Sequence, residues 1–368
     1  MEKDIRIAYF VSSHGLGHAA RAAAVMESIR AIDPGITFDI LTAAPEWFFK
    51  ETLSDSFHYH HLQTDVGLKQ RTPYHEDLTG TLSVLDTFFP FQSDKLASVV
   101  QTIKENACKL ILCDISPMGI AAGQEAGIPS VLVENFTWDW IYEAYSASAP
   151  DFIPHIQFLK NLFAEADFHI QTEPVCAHGD ADLTTLPVSR RPRLPASEVR
   201  SALGINGSKP VVHITMGGVP GKFSLDEKLK GYPDLTFIVS GASDALHRNG
   251  NVYMLPYHST IYHPDIIHAA DLVIGKAGYS TLAEVYYAGI PFMFVKRPTF
   301  RESAVISEFV RMHMHGKDIT VEQFEAGGWV DDVPELLNNP VISRTEKTGA
   351  DQVAEFINNL LSNHGEGL

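Results

Sequence analysis

Short apolar runs alternate with longer stretches of helical periodicity along most of the chain. Continuous apolar runs are typical of parallel strands buried on both faces, and the periodic stretches between them are typical of crossover helices. In the first half we predict strands at IRIAYFV, ITFDILT, KLILCDI and IPSVLVEN, with helices at residues 19–32 and in MGIAAGQEAG. In the second half we predict strands at PVVHITMGG, LTFIVSG, NVYMLPY, DLVIGKAG and IPFMFVKR, and a last amphipathic helix at residues 351–362. The pattern indicates an α/β protein.

One stretch interrupts this alternation. Residues 183–195, LTTLPVSRRPRLP, are rich in proline and arginine and are typical of a linker. We therefore predict an N-terminal domain at residues 1–187, a linker at 188–210, a C-terminal domain at 211–345 and a final segment at 346–368. Each domain is expected to be a doubly wound, Rossmann-like sheet. Because such sheets bind ligands at the carboxyl ends of their strands, we expect the two domains to face a common cleft.

Charge and composition exclude several classes of partner. The 368 residues carry a net charge of −17, and such a surface repels nucleic acid and anionic lipid. The apolar runs are all shorter than 18 residues, so we expect no integral membrane segment. Three cysteines without CxxC spacing argue against a disulfide scaffold or a structural zinc site. These features predict a cytoplasmic protein that does not bind nucleic acid.

The turn after the first strand, SSHGLGHAAR, combines glycines with histidines. Gly15, Gly17 and Ala20 satisfy a loose dinucleotide-binding pattern, which requires an acidic residue at the end of the second strand. Asp39 lies inside that strand instead, which weakens this interpretation. The alternative is that His18, in the first helical turn, acts as a base, because the positive end of a helix dipole favours the neutral imidazole. A histidine that only caps a tight turn is a third interpretation.

The most informative stretch is DLVIGKAGYSTLAEVYYAGIP, in the second half. A buried strand leads into glycines and then into a helix, so backbone N–H groups, hydroxyls and a lysine converge there as an anion site. A glutamate one turn into the helix can accept hydrogen bonds from a ribose diol. A similar turn in TMGGVPGK departs from P-loop spacing but lets the backbone approach a phosphate. The predicted donor-binding residues of these two turns are Lys276, Gly278, Ser280, Thr281, Glu284, Gly217 and Gly218.

These motifs resemble a known superfamily. GKAGYSTLAEVYYAGIP is similar to the donor-nucleotide motif of GT-B glycosyltransferases such as the peptidoglycan N-acetylglucosaminyltransferases, and HGLGHAAR is similar to the first loop of that fold. SHGLGHAAR, AAPEWFF, DVGLKQR, NFTWDWIY and RPTFRE resemble the glycosyltransferase-like N-terminal region of L-arabinokinase over nearly the whole chain. The resemblance implies a GT-B fold with a C-terminal helix that crosses back to the first domain. It also implies a UDP-sugar donor on the C-terminal domain and a small-molecule or glycan acceptor on the N-terminal one.

The resemblance adds further candidate residues. On the donor side it points to Gly17, to Tyr257 near the base, and to Arg301 and Glu302 near the sugar, although the last two could form a solvated charge pair. On the acceptor side it points to His14, and aromatic rings that stack on sugar faces suggest Trp138 and Trp140, for which core packing is the alternative. No cofactor is implied.

The expected chemistry is inversion without a metal ion. Retaining relatives carry a second glutamate eight residues before the Glu284 position, where this chain has Lys276. Direct attack by the acceptor needs a base and charge stabilisation of the leaving diphosphate, which we assign to His18 and Lys276. In related inverting enzymes an aspartate after a mid-domain strand orients this histidine, and Asp114 holds the matching position at the end of LILCD, so the resemblance implies that role for it. The alternative is that Asp114 caps the following helix. Alternatives are a hydrolysing UDP-sugar 2-epimerase and a non-catalytic nucleotide-sugar sensor.

Overall fold

A computed structural model describes residues 5–72, 75–205, 207–216 and 225–363. The chain forms two compact units, which we call unit 1, residues 1–189 with 347–368, and unit 2, residues 190–346. Among the described residues, no helix is both long and apolar enough to cross a membrane.

Unit 1 is built on a fully parallel seven-stranded sheet. A separate two-stranded antiparallel ribbon follows the third strand in the chain. The strands of unit 1 are β1 (Arg6–Val11), β2 (Thr37–Thr42), β3 (Phe57–His61), β4 (Gln70–Thr72), β5 (His75–Glu76), β6 (Leu110–Asp114), β7 (Ser130–Glu134), β8 (Phe168–Thr172) and β9 (Leu183–Thr185). The order in the sheet is β3-β2-β1-β6-β7-β8-β9, and β4 pairs with β5. Strand order reverses between β1 and β6, which makes the carboxyl ends of these two strands the switch point where such sheets bind ligands.

The helices of unit 1 cover this sheet. They are α1 (Leu16–Ile32), α2 (Glu46–Leu53), α3 (Leu78–Phe88), α4 (Ser93–Glu105), α5 (Pro117–Ala126), α6 (Trp138–Glu143) and α7 (Phe152–Phe163). The alanine-rich α1 is buried along most of its length, because small side chains let it lie close to the sheet. Gly15 precedes it with φ 75°, a left-handed value that favours glycine and lets the chain turn sharply from β1 into the helix.

Unit 2 has a second Rossmann-like sheet. Its strands are β10 (Val211–Thr215), β11 (Thr236–Ser243), β12 (His247–Asn249), β13 (Val252–Pro256), β14 (Leu272–Lys276), β15 (Phe292–Val295) and β16 (Gly316–Ile319). The order is β12-β13-β11-β10-β14-β15-β16, with only the edge strand β12 antiparallel among these pairs. Here the switch point lies between β10 and β14. Gly275 is required at that point, since a Cβ atom there would lie 2.7 Å from the Thr215 carbonyl oxygen.

The remaining helices complete both units. They are α8 (Ala196–Ala202), α9 (Asp226–Leu229), α10 (His263–Ala269), α11 (Tyr279–Ala288), α12 (Glu302–His313), α13 (Val321–Ala326), a 3₁₀ turn (Gly328–Asp332), α14 (Val333–Leu337) and α15 (Gly349–Asn363). The last helix, α15, packs on α1 and so belongs to unit 1.

The stretch predicted as a linker, residues 188–210, differs from that expectation. From Arg190 onward it belongs to unit 2. It contains α8, whose Val199 is fully buried in the hydrophobic core of that unit. Proline and arginine content predicted a linker, whereas the ion pairs of Arg190 with Glu284 and of Arg200 with Asp271 join this stretch to residues far along the chain.

Candidate functional site

The switch point of unit 1 brings His18 and Asp114 together. His18 lies in the first turn of α1, and Asp114 is the last residue of β6, which pairs with β1. Their side chains meet with 2.7 Å between the imidazole Nδ1 and the carboxylate Oδ1, and only 8% of His18 and none of Asp114 is exposed. An Nδ1–H that donates to Asp114 leaves Nε2 as the proton acceptor of the ring. The arrangement can therefore present a neutral imidazole as a base.

The structure rejects the alternative in which Asp114 caps the next helix. The residue at the N-cap position of α5 is Ser116, and Asp114 lies two residues earlier, still in the strand. Its carboxylate faces α1 rather than the N–H groups of α5, as its contacts with His18 and Arg21 show.

Arg21, which the sequence reasoning missed, completes this cluster. Its Nε donates to Asp114 Oδ2 and its Nη2 donates to Oδ1, both at 2.7 Å, so the guanidinium grips the carboxylate with two parallel bonds. Its Nη1 donates to the Asn135 side-chain oxygen at 2.7 Å. Burial by itself would raise the pKa of Asp114, but the Arg21 charge and the hydrogen bonds from Arg21 and His18 hold that pKa below its usual value. Asp114 is thus kept ionised beside His18.

A second carboxylate, Asp65, lies on another side of this cluster. Its Oδ2 accepts a 2.7 Å hydrogen bond from the Trp138 indole, and the Ser12 hydroxyl also donates to the side chain. Only 2% of Asp65 is exposed, and burial raises its pKa above the usual value, against the lowering effect of these bonds and of His18. The loop after β3 is thereby tied to the turn after β1.

The aromatic residues predicted for the acceptor side are packed to different degrees. Trp138 is only 1% exposed, and its ring lies edge-on to His14 with centroids 5.0 Å apart. The burial of Trp138 favours the core-packing alternative, and its place in an acceptor pocket stays a prediction. Trp140 and His14 remain half-buried, and their role in acceptor binding stays a prediction. Gly17, also half-buried, precedes His18 in α1.

The switch point of unit 2 carries the predicted anion loop. Lys276 is the last residue of β14 and is half-buried, and Gly278 is the N-cap of α11. Because Gly278 has no side chain, that helix begins without a side-chain cap on its first N–H groups. Ser280 is half-buried and Thr281 is 6% exposed in the first turn. The local geometry is that of a helix N-terminus suited to an anion.

Glu284 is held in a buried network instead of standing open. Arg190 donates to its Oε1 from Nε at 3.0 Å and from Nη2 at 2.9 Å, while His263 Nδ1 lies 2.9 Å from Oε2. On the other side of the ring, His263 Nε2 lies 3.3 Å from the Thr215 hydroxyl. Burial alone would raise the pKa of Glu284, but the Arg190 and His263 charges and hydrogen bonds bring the pKa below its usual value.

This network qualifies the prediction for Glu284. The carboxylate is 5% exposed and both of its oxygens already accept hydrogen bonds, so a ribose diol would have to share them. Sequence reasoning missed Arg190, which stood in the predicted linker, and His263 and Thr215. Only the position of Thr215 at the end of a predicted strand could have singled it out.

The other donor-side candidates lie on neighbouring elements of unit 2. Tyr257 follows β13 and is 40% exposed. Arg301 is half-buried at the N-cap of α12, and Glu302, the first residue of that helix, is 4% exposed, so Glu302 is not part of a solvated charge pair. Gly217 and Gly218 lie outside the described residues.

The dinucleotide interpretation required an acidic residue at the end of β2, and the nearest one, Asp39, is bound by other side chains of unit 1. Its Oδ1 lies 2.8 Å from His60 Nε2 and accepts a 2.7 Å hydrogen bond from the Asn106 amide. It is 1% exposed in the middle of β2, paired opposite Ala8. The carboxylate is therefore not at the strand end, where a bound ribose would require it.

Comparison with protein families and curated sequences gives matches over both units. Residues 232–360 match the model of the glycosyltransferase family 28 C-terminal domain. The chain is 29% identical over 332 residues to L-arabinokinase of Arabidopsis thaliana, a match that covers 89% of this chain and 32% of that protein. It is 26% identical over 266 residues to a UDP-N-acetylglucosamine–N-acetylmuramyl-(pentapeptide) pyrophosphoryl-undecaprenol N-acetylglucosamine transferase of Deinococcus radiodurans, with 61% of each chain covered. The chain thus spans less than two thirds of either relative.

Comparison of folds extends over nearly all of the chain. A UDP-glucosyltransferase from Polygonum tinctorium superposes with a TM-score of 0.63 at 12% identity, covering 97% of this chain and 98% of that one. At this identity the match shows a common fold.

Proposed function

We propose that this chain is a GT-B-type glycosyltransferase and that it transfers a sugar from a nucleotide-diphosphate donor by an inverting, metal-independent mechanism, which the family 28 match, the glycosyltransferase relatives and the common fold support. The donor is a UDP-sugar bound by unit 2, and the acceptor is a small molecule or glycan activated by unit 1. The observation that carries the proposal is the buried 2.7 Å contact between His18 and Asp114 at the switch point of unit 1.

His18 serves as the general base in this proposal. The Nδ1 contact with Asp114 fixes the tautomer, so Nε2 is the atom that takes the proton from the acceptor hydroxyl as that oxygen attacks the sugar. Asp114, kept ionised by Arg21, stabilises the imidazolium that forms. Arg21 is a positioning residue here, since its two bonds fix the direction in which the carboxylate faces His18.

Unit 2 supplies the stabilisation of the leaving group. Lys276 and the first N–H groups of α11 are suited to the diphosphate, with Ser280 and Thr281 as further donors. A cation and a helix dipole are alternatives to a divalent metal for neutralising charge on a departing nucleotide, which supports metal independence. Lysine at position 276, where retaining relatives carry glutamate, supports inversion. No bound cofactor enters the proposed reaction.

The test measures UDP release from a panel of UDP-sugars, first without an acceptor and then with candidate acceptors. His18→Ala is expected to lower turnover by about 10²- to 10⁴-fold, the usual loss of a general base, while donor affinity stays near that of the native chain. Asp114→Asn should lose less, because it only orients the imidazole and stabilises its charge. The matched control is His58→Ala, an exposed histidine of the same unit.

Two results would contradict the proposal. Native turnover in His18→Ala would remove His18 as the base. Retention of the anomeric configuration in the product, determined by NMR, would refute inversion even if transfer itself is observed.

A further inference from the structure

Unit 2 contains a cavity of about 470 Å³ that lies away from the anion loop. The cavity lies at the amino ends of β10, β11 and β13. Lys209 comes shortly before β10, Thr236 is the first residue of β11, and Asn251 directly precedes β13. The anion loop follows the carboxyl end of β14. Five-residue strands separate the two ends of this sheet by about 15 Å, so the cavity is a different place from the proposed donor site.

Three cations line this cavity: Lys209, Lys230 and Arg248. Among the ten described residues that line it there is no carboxylate. Lys230 has an acidic partner just outside, with Nζ 2.5 Å from Glu227 Oε1, but the Glu227 side chain is 81% exposed. In a chain with a net charge of −17, three cations around one cavity form a local region of positive charge.

Lys209 and Arg248 are anchored by groups that do not neutralise them. Lys209 Nζ donates to the Pro233 carbonyl oxygen at 2.6 Å, and Arg248 Nε donates to the Gly250 carbonyl oxygen at 3.1 Å. The Arg248 guanidinium also lies over the Tyr253 ring, 4.9 Å from its centroid. These contacts reduce the rotamer freedom that a ligand would otherwise have to remove, and the terminal nitrogens of Arg248 carry four further N–H groups.

The size of the cavity indicates the kind of anion. A volume of 470 Å³ lies within the range of about 300–1,000 Å³ that is usual for small-molecule sites, and it exceeds what a bare phosphate would fill. Guanidinium forks match phosphate oxygens, and lysines add point charge. Thr236 and Asn251 also line the cavity, where the Asn251 amide nitrogen is anchored by the carbonyl oxygens of Leu229, Tyr232 and Leu235.

We propose that this cavity, lined by Lys209, Lys230 and Arg248, is a second ligand site that binds a small phosphate ester. The phosphate group lies among the three cations and the body of the ester fills the remaining volume. The site belongs to unit 2 alone and does not depend on the glycosyl-transfer proposal.

The test is lysine footprinting of the whole chain with acetic anhydride, read by mass spectrometry. The probe is glucose 6-phosphate and the neutral control is glucose, both at millimolar concentration and low ionic strength. We expect glucose 6-phosphate to slow the acetylation of Lys209 and Lys230 at least fivefold, glucose to have no effect, and the exposed Lys160 of unit 1 to react at an unchanged rate. Lys276 is measured in the same digest, so occupancy of the anion loop is seen separately.

Arg248→Gln provides the matched variant. Because Arg248 is exposed, we expect its loss to leave the fold intact, which circular dichroism checks. In this variant the protection of both lysines should be lost. The proposal is overturned if Lys209 and Lys230 react equally fast with and without glucose 6-phosphate, if glucose protects them as well, or if Arg248→Gln retains the protection. If Lys276 alone is protected, the phosphate ester binds at the anion loop and not in this cavity, which would also overturn the proposal.

Discussion

Replacing Arg21 by methionine should destabilise unit 1 strongly and in a pH-dependent way. Arg21 and Asp114 are both essentially buried, and the substitution removes two 2.7 Å bonds to the carboxylate and one to Asn135. Removing one partner of a buried pair leaves an uncompensated charge and costs about 3–5 kcal/mol of unfolding free energy. We expect a loss of this size at pH 7 in urea titrations followed by tryptophan fluorescence.

The sign of the pH dependence follows from the pKa of Asp114. In the native chain this pKa is lowered, so the stability that it contributes is complete above the unfolded-state value and is lost as pH falls through the folded-state value. Without Arg21, burial is expected to dominate and to raise the pKa of Asp114. Acidification then protonates this carboxylate in the variant and removes the free-energy cost of a buried, unpaired charge. The difference in unfolding free energy should therefore shrink between pH 7 and pH 4.

Arg71→Met is the control, because it removes the same side chain from a salt bridge of the same unit whose arginine is 69% exposed. It should change stability far less, because an exposed pair is well solvated in both states. A destabilisation by Arg21→Met that is equal at pH 7 and pH 4, or no larger than that of the control, would refute the account of Arg21 as the group that keeps Asp114 ionised.

Three further predictions concern unit 2 and the loop of Asp65. Glu284→Ala should weaken UDP binding by about 1–3 kcal/mol in calorimetry, and unchanged affinity would remove Glu284 from the ribose site. Because the buried Arg190 also loses its partner, the substitution should lower the melting temperature. Transfer should continue in EDTA, and its abolition with rescue by magnesium or manganese would show that Lys276 does not suffice for the leaving group. Trp138→Phe should lower stability by about 1–3 kcal/mol in urea titration, because Asp65 loses a 2.7 Å donor inside the protein, and an unchanged midpoint would contradict that.

The alternation of apolar runs and helical stretches determined the α/β class and most of the strands. The predictions at IRIAYFV and DLVIGKAG are confirmed as β1 and β14, and the last helix as α15. Such elements can be read locally, because a strand buried on both faces must be apolar throughout and a helix must repeat its apolar face every three to four residues. The α/β class followed from these patterns, and the GT-B fold followed from the resemblance of the loop motifs to that superfamily.

Most pairings between distant residues were decided only by the tertiary structure. The family resemblance had suggested that Asp114 orients His18, but the 2.7 Å contact between them, 96 positions apart, exists because β1 and β6 are neighbours in the sheet. In the sequence, Arg21 is a single charged residue in an alanine-rich helix. Its role depends on Asp114, which β6 brings next to it in the sheet. In unit 2, Arg190 appeared to be linker because its partner Glu284 is 94 positions away. Sequence patterns indicate which face of a helix or strand is buried. The partner of a buried charge depends on which strands are neighbours in the sheet, and the local spacing of residues does not show that order.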